Sequence, residues 1–324
     1  MHLASLIDFN NCTPKKKTKK NFVLRQMKMI NFFYLLLVFL FGTSKSFAQR
    51  DSTIEQEVER FEAVNLPHTQ VRRIYSQFTK QNYRILISLP ASYGRASGKK
   101  FPLLLTLDDD FSFALTKKIT EHLSDRKYIS ENFVVSIAYD GPLNYRVNRT
   151  RDYTPTHVLT GGYGREFQRY SGGGPAFADF IEKELIPYLE KSFSLDQNRT
   201  IIGHSFGGLF ASWMLVTRPQ VFKQYIVVSP SLWYDNALVL KLEKQLATRL
   251  KDLNARVFFG IGEKETRKEG NVHDMVNDMK SFVSALEQRK YAHLKITSVI
   301  FPEENHSTVF PSALTRGLMS VLQN

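Results

Sequence analysis

Gly203-His204-Ser205-Phe206-Gly207 lies directly between an apolar run, Thr200-Ile201-Ile202, and an amphipathic stretch that opens at Gly208-Leu209-Phe210. A serine with a glycine two residues to either side, at a junction of strand and helix, describes a sharp, strained turn that holds the hydroxyl clear of the backbone. The glycines remove Cβ atoms that would collide where helix and strand approach. The same turn aims the first N–H groups of the new helix, that of Phe206 included, at the place where an oxyanion would form. One short motif thus offers a nucleophile and a stabilising donor together. G-x-S-x-G alone arises by chance in many chains, so its weight comes from this placement.

Outward from the turn, strand and helix patterns alternate from about residue 70 onward. Tyr83, Ile85, Ile87 and Leu89 alternate with Arg84, Leu86 and Ser88, which reads as a strand with one better-buried face. Residues 101–107 and 133–139 are continuous apolar runs, the mark of strands covered on both sides. Residues 225–228, 256–261 and 294–300 read as further strands. Between them, helical spacing appears at Phe177, Phe180, Ile181, Leu185 and Leu189, where Pro187 should bring a late kink. It recurs at Leu238, Leu242, Leu246 and Leu250, and again from Val272 through Met275, Val276, Met279 and Phe282 to Leu286. The pattern predicts an α/β fold of the α/β-hydrolase kind: a mostly parallel sheet, helices on both faces, one domain over residues 50–324. The connection 140–175 is poor in apolar residues and rich in Gly, Arg and Tyr, and reads as a surface loop lying over the active-site edge.

The 324 residues are 43% hydrophobic and 13% aromatic, enough for one large packed core. The formal charge of +13 suggests nucleic acid until it is divided along the chain. Residues 1–49 hold eight Lys/Arg against one acid, leaving 36 basic and 30 acidic residues, +6, for the rest. A nucleic-acid groove is therefore not expected. From Met27 or Met29 a short basic start leads into an apolar run and then Thr43-Ser44-Lys45-Ser46-Phe47-Ala48-Gln49. This is the layout of a signal peptide cleaved near Ala48 or Gln49, with no stable membrane insertion afterwards, and the stretch before Met27 reads as an over-extended start. The single cysteine, Cys12, falls in the part to be removed. An exported chain without disulfides fits a bacterial periplasm or exterior.

A serine hydroxyl needs a base to attack an ester at neutral pH. On an α/β-hydrolase sheet the acid and then the histidine follow the serine along the chain, which leaves His273, His293 and His306. His306 sits in a turn-rich loop after the last strand, at the carboxyl end where the sites of such sheets gather. His293 precedes that strand and His273 opens a helix, so His306 is the expected base. The acid should hang after the strand at 256–261, where Glu265 is favoured over Glu263, with Asp274 as a third candidate. A second oxyanion donor should come from Asp108-Asp109-Asp110-Phe111, and the Asp110 N–H is chosen. The three acids lack partner ligands at recognisable spacing, so no metal is expected, and no cofactor fingerprint is present.

With these residues assembled, the chain resembles the putative-esterase family of α/β-hydrolases, which includes esterase D, trilactone siderophore esterases and mycolyltransferases. The likeness rests on Tyr83-Arg84-Ile85, Leu89-Pro90-Ala91-Ser92-Tyr93, Arg151-Asp152-Tyr153-Thr154-Pro155, Gly203 to Gly208, Ser229-Pro230-Ser231-Leu232-Trp233 and Gly262-Glu263-Lys264-Glu265. It implies Ser205 as nucleophile, His306 as base, an acid near Glu265, and Trp233 and the Arg151 loop at the border of a substrate pocket. Asp108-Asp109 stands where the family often has Asp-Gly. Arg146, Arg149, Arg151, Arg165 and Arg169 would suit an anionic or oxygen-rich small-molecule ester: a catecholate siderophore lactone, an acylated sugar or an aromatic ester. An acyltransferase, or a non-catalytic binding protein on the same scaffold, are the alternatives.

Overall fold

Leu103-Leu104-Leu105 is apolar at every position because both faces of its strand are covered, and all three side chains are buried. The strands around it are β1 (Thr69–Tyr75), β2 (Asn82–Ser88), β3 (Phe101–Thr106), β4 (Phe133–Tyr139), β5 (Leu195–His204), β6 (Gln224–Val228), β7 (Asn254–Gly262) and β8 (His293–Phe301). They form one sheet in the order β1-β2-β4-β3-β5-β6-β7-β8. β1, β2 and β4 pair antiparallel, and every other neighbour pair is parallel. This is the expected α/β-hydrolase fold. It belongs to a compact unit, Leu66–Asn324. The computed structural model describes residues 64–95, 98–139, 144–251 and 253–323, so the signal segment expected within 1–49 lies outside the described residues.

Helices α1 (Asp109–Asp125), α2 (Tyr145–Tyr153), α3 (Arg165–Gln168), α4 (Gly174–Phe180), α5 (Ile186–Ser192), α6 (Phe206–Thr217), α7 (Tyr234–Leu246), α8 (Met275–Gln288) and α9 (Phe310–Leu322) complete the fold. Side-chain alternation along each strand divides the core in two. Leu103 and Leu105 join Phe177, Phe180, Leu209 and Phe210 on one side of the sheet. Leu104 joins Phe113, Phe310, Leu314 and Leu318 of α1 and α9 on the other. No helix among the described residues is long and apolar enough to cross a membrane.

Three expectations are corrected by packing. The irregularity near Pro187 takes the form of a π turn over Ile181–Leu185, with the Ile186 N–H bonded to the Ile181 carbonyl. Proline has no N–H to continue the ladder, and the wider turn precedes it. In α7 the fully buried positions are Tyr234, Val239 and Glu243, while Leu242 and Leu246 of the leucine stripe pack only partly buried against the core, and Glu243 is held by Arg289 Nε at 2.9 Å and the Tyr291 hydroxyl at 3.3 Å. A charge can stand on a core face when its partners come with it. The connection 140–175 is not a plain loop where described, since it carries α2, α3 and the start of α4. Its helix α2 buries Arg149, Thr150, Asp152 and Tyr153, so hydrogen bonds and an ion pair fix it where apolar periodicity would normally do so.

Candidate active site

Ser205 follows β5 and caps α6 with φ 59° and ψ −116°, a conformation that costs a non-glycine residue about 1–3 kcal/mol and persists only where the surroundings impose it. They do so through three backbone bonds. The Ser205 N–H donates to the Val228 carbonyl at 3.0 Å, while its carbonyl accepts from Leu209 at 2.9 Å and Ser231 at 3.2 Å. Gly203 is required because a Cβ there would lie 2.3 Å from the Gly207 oxygen. Gly208 is equally constrained by the Val228 oxygen, 2.9 Å from the position a Cβ would take. Phe206 is the first residue of α6, so its N–H lies in the first turn, beyond reach of any carbonyl of that helix.

Asp110 holds the second position of α1, and its N–H is likewise a first-turn donor. The residue before the helix, Asp108, adopts the left-handed conformation (φ 60°, ψ 65°) and packs against the serine turn. A Cβ on Gly207 would stand 3.1 Å from Asp108 Oδ2. The two helix N-termini named as oxyanion donors therefore start side by side.

Glu265 and His306 come together as the chain order predicts. His306 Nδ1 lies 2.6 Å from Glu265 Oε2. The other carboxylate oxygen accepts from the Ser229 hydroxyl at 2.5 Å and the Gly262 N–H at 2.9 Å. Only 1% of Glu265 is exposed, so its lone pairs are spoken for by protein donors. A carboxylate facing Nδ1 fixes the proton there and leaves the Nε2 lone pair of a neutral imidazole for another donor. The other acid candidates are used elsewhere. Glu263 is exposed and accepts from the Glu303 N–H at 3.2 Å, and Asp274 caps α8 by accepting from the Asn277 N–H at 3.1 Å. His293 is exposed at the amino end of β8.

His204, inside the pentapeptide, plays a part that the motif did not suggest. Its Nε2 lies 2.9 Å from the His306 carbonyl, which can only accept, so Nε2 carries the proton. The two rings sit 4.6 Å apart. Burial, followed by the nearby His306 and Arg149, holds the His204 imidazole well below its usual value, so it stays neutral.

A cavity of about 510 Å³ opens over these groups, and its wall includes Ser205, His306, Phe206, Trp233, Tyr163 and Arg149. Trp233 borders it as expected, stacked on His273 with ring centroids 4.0 Å apart and 4° between planes. Val272, expected on the α8 stripe, instead lies in the loop before the helix, 80% exposed at the cavity wall. Arg151 is not brought to the cavity. Its guanidinium pairs with Asp152 (Nε to Oδ1 2.7 Å) and lies over Tyr139. Arg149, two positions earlier, lines the wall instead. Asp108, the first residue of the acidic run, forms a buried bidentate pair with Arg149.

A family model described as "Putative esterase" matches residues 76–318. Ferri-bacillibactin esterase BesA of Bacillus subtilis (strain 168) is 28% identical over 270 residues, 80% of this chain and 91% of that protein. The apo-salmochelin esterase of Escherichia coli O6:H1 is 26% identical over 254 residues, 74% of this chain and 75% of its own length. Among solved structures, an IroE-like serine hydrolase from Shewanella oneidensis is 28% identical, with a TM-score of 0.69 over 78% of this chain and 79% of that one.

Proposed function

This chain belongs to the putative-esterase family and is a carboxylic ester hydrolase, and from that premise we propose that it works through an acyl-enzyme on Ser205. His306 takes the serine proton at Nε2 as the hydroxyl oxygen attacks the ester carbonyl, and Glu265 holds the imidazole in the tautomer that can do so. The tetrahedral intermediate places its oxyanion between the N–H groups of Phe206 and Asp110. His306 then returns the proton to the leaving alcohol. Water repeats the cycle to release the acid. The observation that carries this reading is the 2.6 Å bond from His306 to a buried Glu265 beside a cavity that also contains Ser205.

The substrate proposed is an ester that carries aromatic groups, in the first instance a catecholate trilactone siderophore. Two features support it: the relatives are named for siderophore esters, and the cavity wall is built from aromatic rings, among them Phe111, Tyr145, Tyr163, Phe206 and Trp233. Such rings present flat apolar faces to flat ligands. Turnover of a panel containing a ferric catecholate trilactone, feruloyl sugars and short aliphatic esters tests the assignment. The reading expects the esters that carry aromatic groups, the trilactone first, to be favoured at least tenfold in kcat/KM and Ser205→Ala to abolish turnover of all. A preference for short aliphatic esters would contradict it. Export is proposed as well, and amino-terminal sequencing of the extracytoplasmic protein should begin near Gln49 or Arg50.

A further inference from the structure

A second cavity lies at the amino ends of the parallel strands, about 25 Å along β7 from the catalytic groups. Its volume is about 830 Å³, against about 510 Å³ for the cavity over Ser205. It adjoins a further hollow of about 400 Å³, and the two share Arg256 and Val321, so together they form one trough.

Cations line this trough in the order of the strands. Lys100 immediately precedes β3, Lys223 immediately precedes β6, and Arg256 and Lys295 are the third residues of β7 and β8. Arg256 is in register with Gln224 on one side and with Lys295 on the other. With neighbouring strands about 4.8 Å apart, the row runs on the order of 20 Å across the sheet edge. All four cationic residues are exposed. Arg256 Nη1 donates to the Gln323 carbonyl at 3.0 Å, the ordinary use of a cation at the carboxyl end of a helix. Lys100, Lys223 and Lys295 have no side-chain bond or ion pair among the described residues. Of the two acids in the wall, Glu131 is taken by Lys99 Nζ at 2.7 Å, which leaves Asp196 alone against the row. Like charges gathered in this way repel one another, and an anion that spans them removes that cost.

The rest of the wall indicates which anion. Asn132, Asn198, Gln224 and Asn254 bring carboxamides, which both donate and accept and so suit the hydroxyls of a sugar. Nucleic-acid bases call for aromatic platforms, and Phe101, the only ring in the wall among the described residues, is 2% exposed. A lipid surface calls for an exposed apolar face beside the cations, whereas Phe101, Ile129 and Val321 here are buried. We propose that the trough is a docking site for an acidic glycan, a chain of sulfated or carboxylated sugars, which tethers the enzyme with its catalytic mouth facing away. The proposal stands apart from the ester reading, because no residue of the trough lines the catalytic cavity.

Fluorescence anisotropy of the full-length protein with a labelled heparin hexasaccharide and a labelled hexagalacturonate, at about 50 mM salt, tests the proposal. At least one should bind, and which one tells sulfate from carboxylate; no binding of either would overturn the proposal. Affinity should fall steeply as salt rises, as it does where cations release counterions from a polyanion. Lys100→Gln/Lys223→Gln/Arg256→Gln/Lys295→Gln should bind at least tenfold more weakly. Arg165→Gln/Lys241→Gln/Lys244→Gln/Lys280→Gln removes the same charge elsewhere and should stay within threefold of the wild type. Circular dichroism checks the fold of both, and turnover of small esters should be unchanged in both. Undiminished binding by the first variant would place the contact elsewhere, the basic amino-terminal stretch included, and overturn the proposal, as would equal weakening in the second. Tighter binding to an oligothymidylate of equal charge, or to phosphatidylglycerol vesicles, would overturn the choice of a glycan. Loss of small-ester turnover in the first variant alone would overturn the tether by coupling the trough to the catalytic cavity.

Discussion

At the scale of single residues, Glu265 and His204 hold His306 from opposite sides, one through its ring and the other through its carbonyl. Glu265→Gln turns an acceptor that fixes the Nδ1 proton into an amide that can donate to Nδ1 and select the wrong tautomer. The expected loss is on the order of 10⁴-fold in kcat, with little change in KM or in the thermal midpoint. A variant with near wild-type kcat would mean that the carboxylate is dispensable. For His204 the sign follows from its environment. Burial, His306 and Arg149 hold its imidazole well below 6.5, so the folded chain refuses a proton that the unfolded chain accepts. Its contribution to stability is complete above about pH 6.5 and is lost progressively on acidification, at up to about 1.4 kcal/mol per pH unit. Urea midpoints at pH 7.5 and 5 should therefore converge in His204→Asn relative to the wild type, and parallel acid slopes would refute this assignment.

At the scale of elements, the serine turn works because strand, turn and helix fit only if particular side chains are missing. The oxygen of Gly207 leaves no space for a Cβ at position 203, and a backbone atom cannot swing aside as a side chain can. Gly203→Ala should lower stability by at least about 2 kcal/mol and remove activity, as seen in denaturant titration with turnover measured on the folded fraction. An alanine accepted at no cost would mean that the turn has a softer geometry than described. The same scale shows what the sequence makes legible. β3 and β4 are apolar at almost every position, and the strand–serine–helix junction stands out because its glycines have a steric reason. Edge strand β1 reads Thr69-Gln70-Val71-Arg72-Arg73-Ile74-Tyr75 and is largely exposed, so no alternation announces it. Helix α2 is silent to apolar periodicity because its buried polar residues are held by polar partners instead, Arg149 by Asp108 and Asp152 by Arg151 and the Tyr83 hydroxyl. The family resemblance places the Arg151 loop at the pocket. Two residues along a helix turn a side chain by about 200°, which sends Arg151 toward Asp152 and Tyr139 while Arg149 faces the cavity.

Across the whole molecule, the groups of the site come from four distant stretches of chain that share only a position at the carboxyl ends of parallel strands. Ser205 follows β5, Glu265 follows β7, His306 follows β8, and Asp108 follows β3. Such a site needs the entire sheet in register, and two buried cores, one on each face, supply that rigidity. Chain order and strand ends made Ser205, Glu265 and His306 readable in advance. The Arg149–Asp108 pair is not readable there, because a tertiary ion pair leaves no periodic trace. The account as a whole depends on Ser205 being an activated nucleophile. Reaction with a fluorophosphonate, followed by intact-mass and peptide mapping, measures this without knowledge of the natural ester. A single adduct on Ser205, absent from Ser205→Ala and formed at least 100-fold more slowly in His306→Ala, is the predicted result; a folded wild-type protein that stays unlabelled, or that reacts equally in Ser205→Ala, would contradict it.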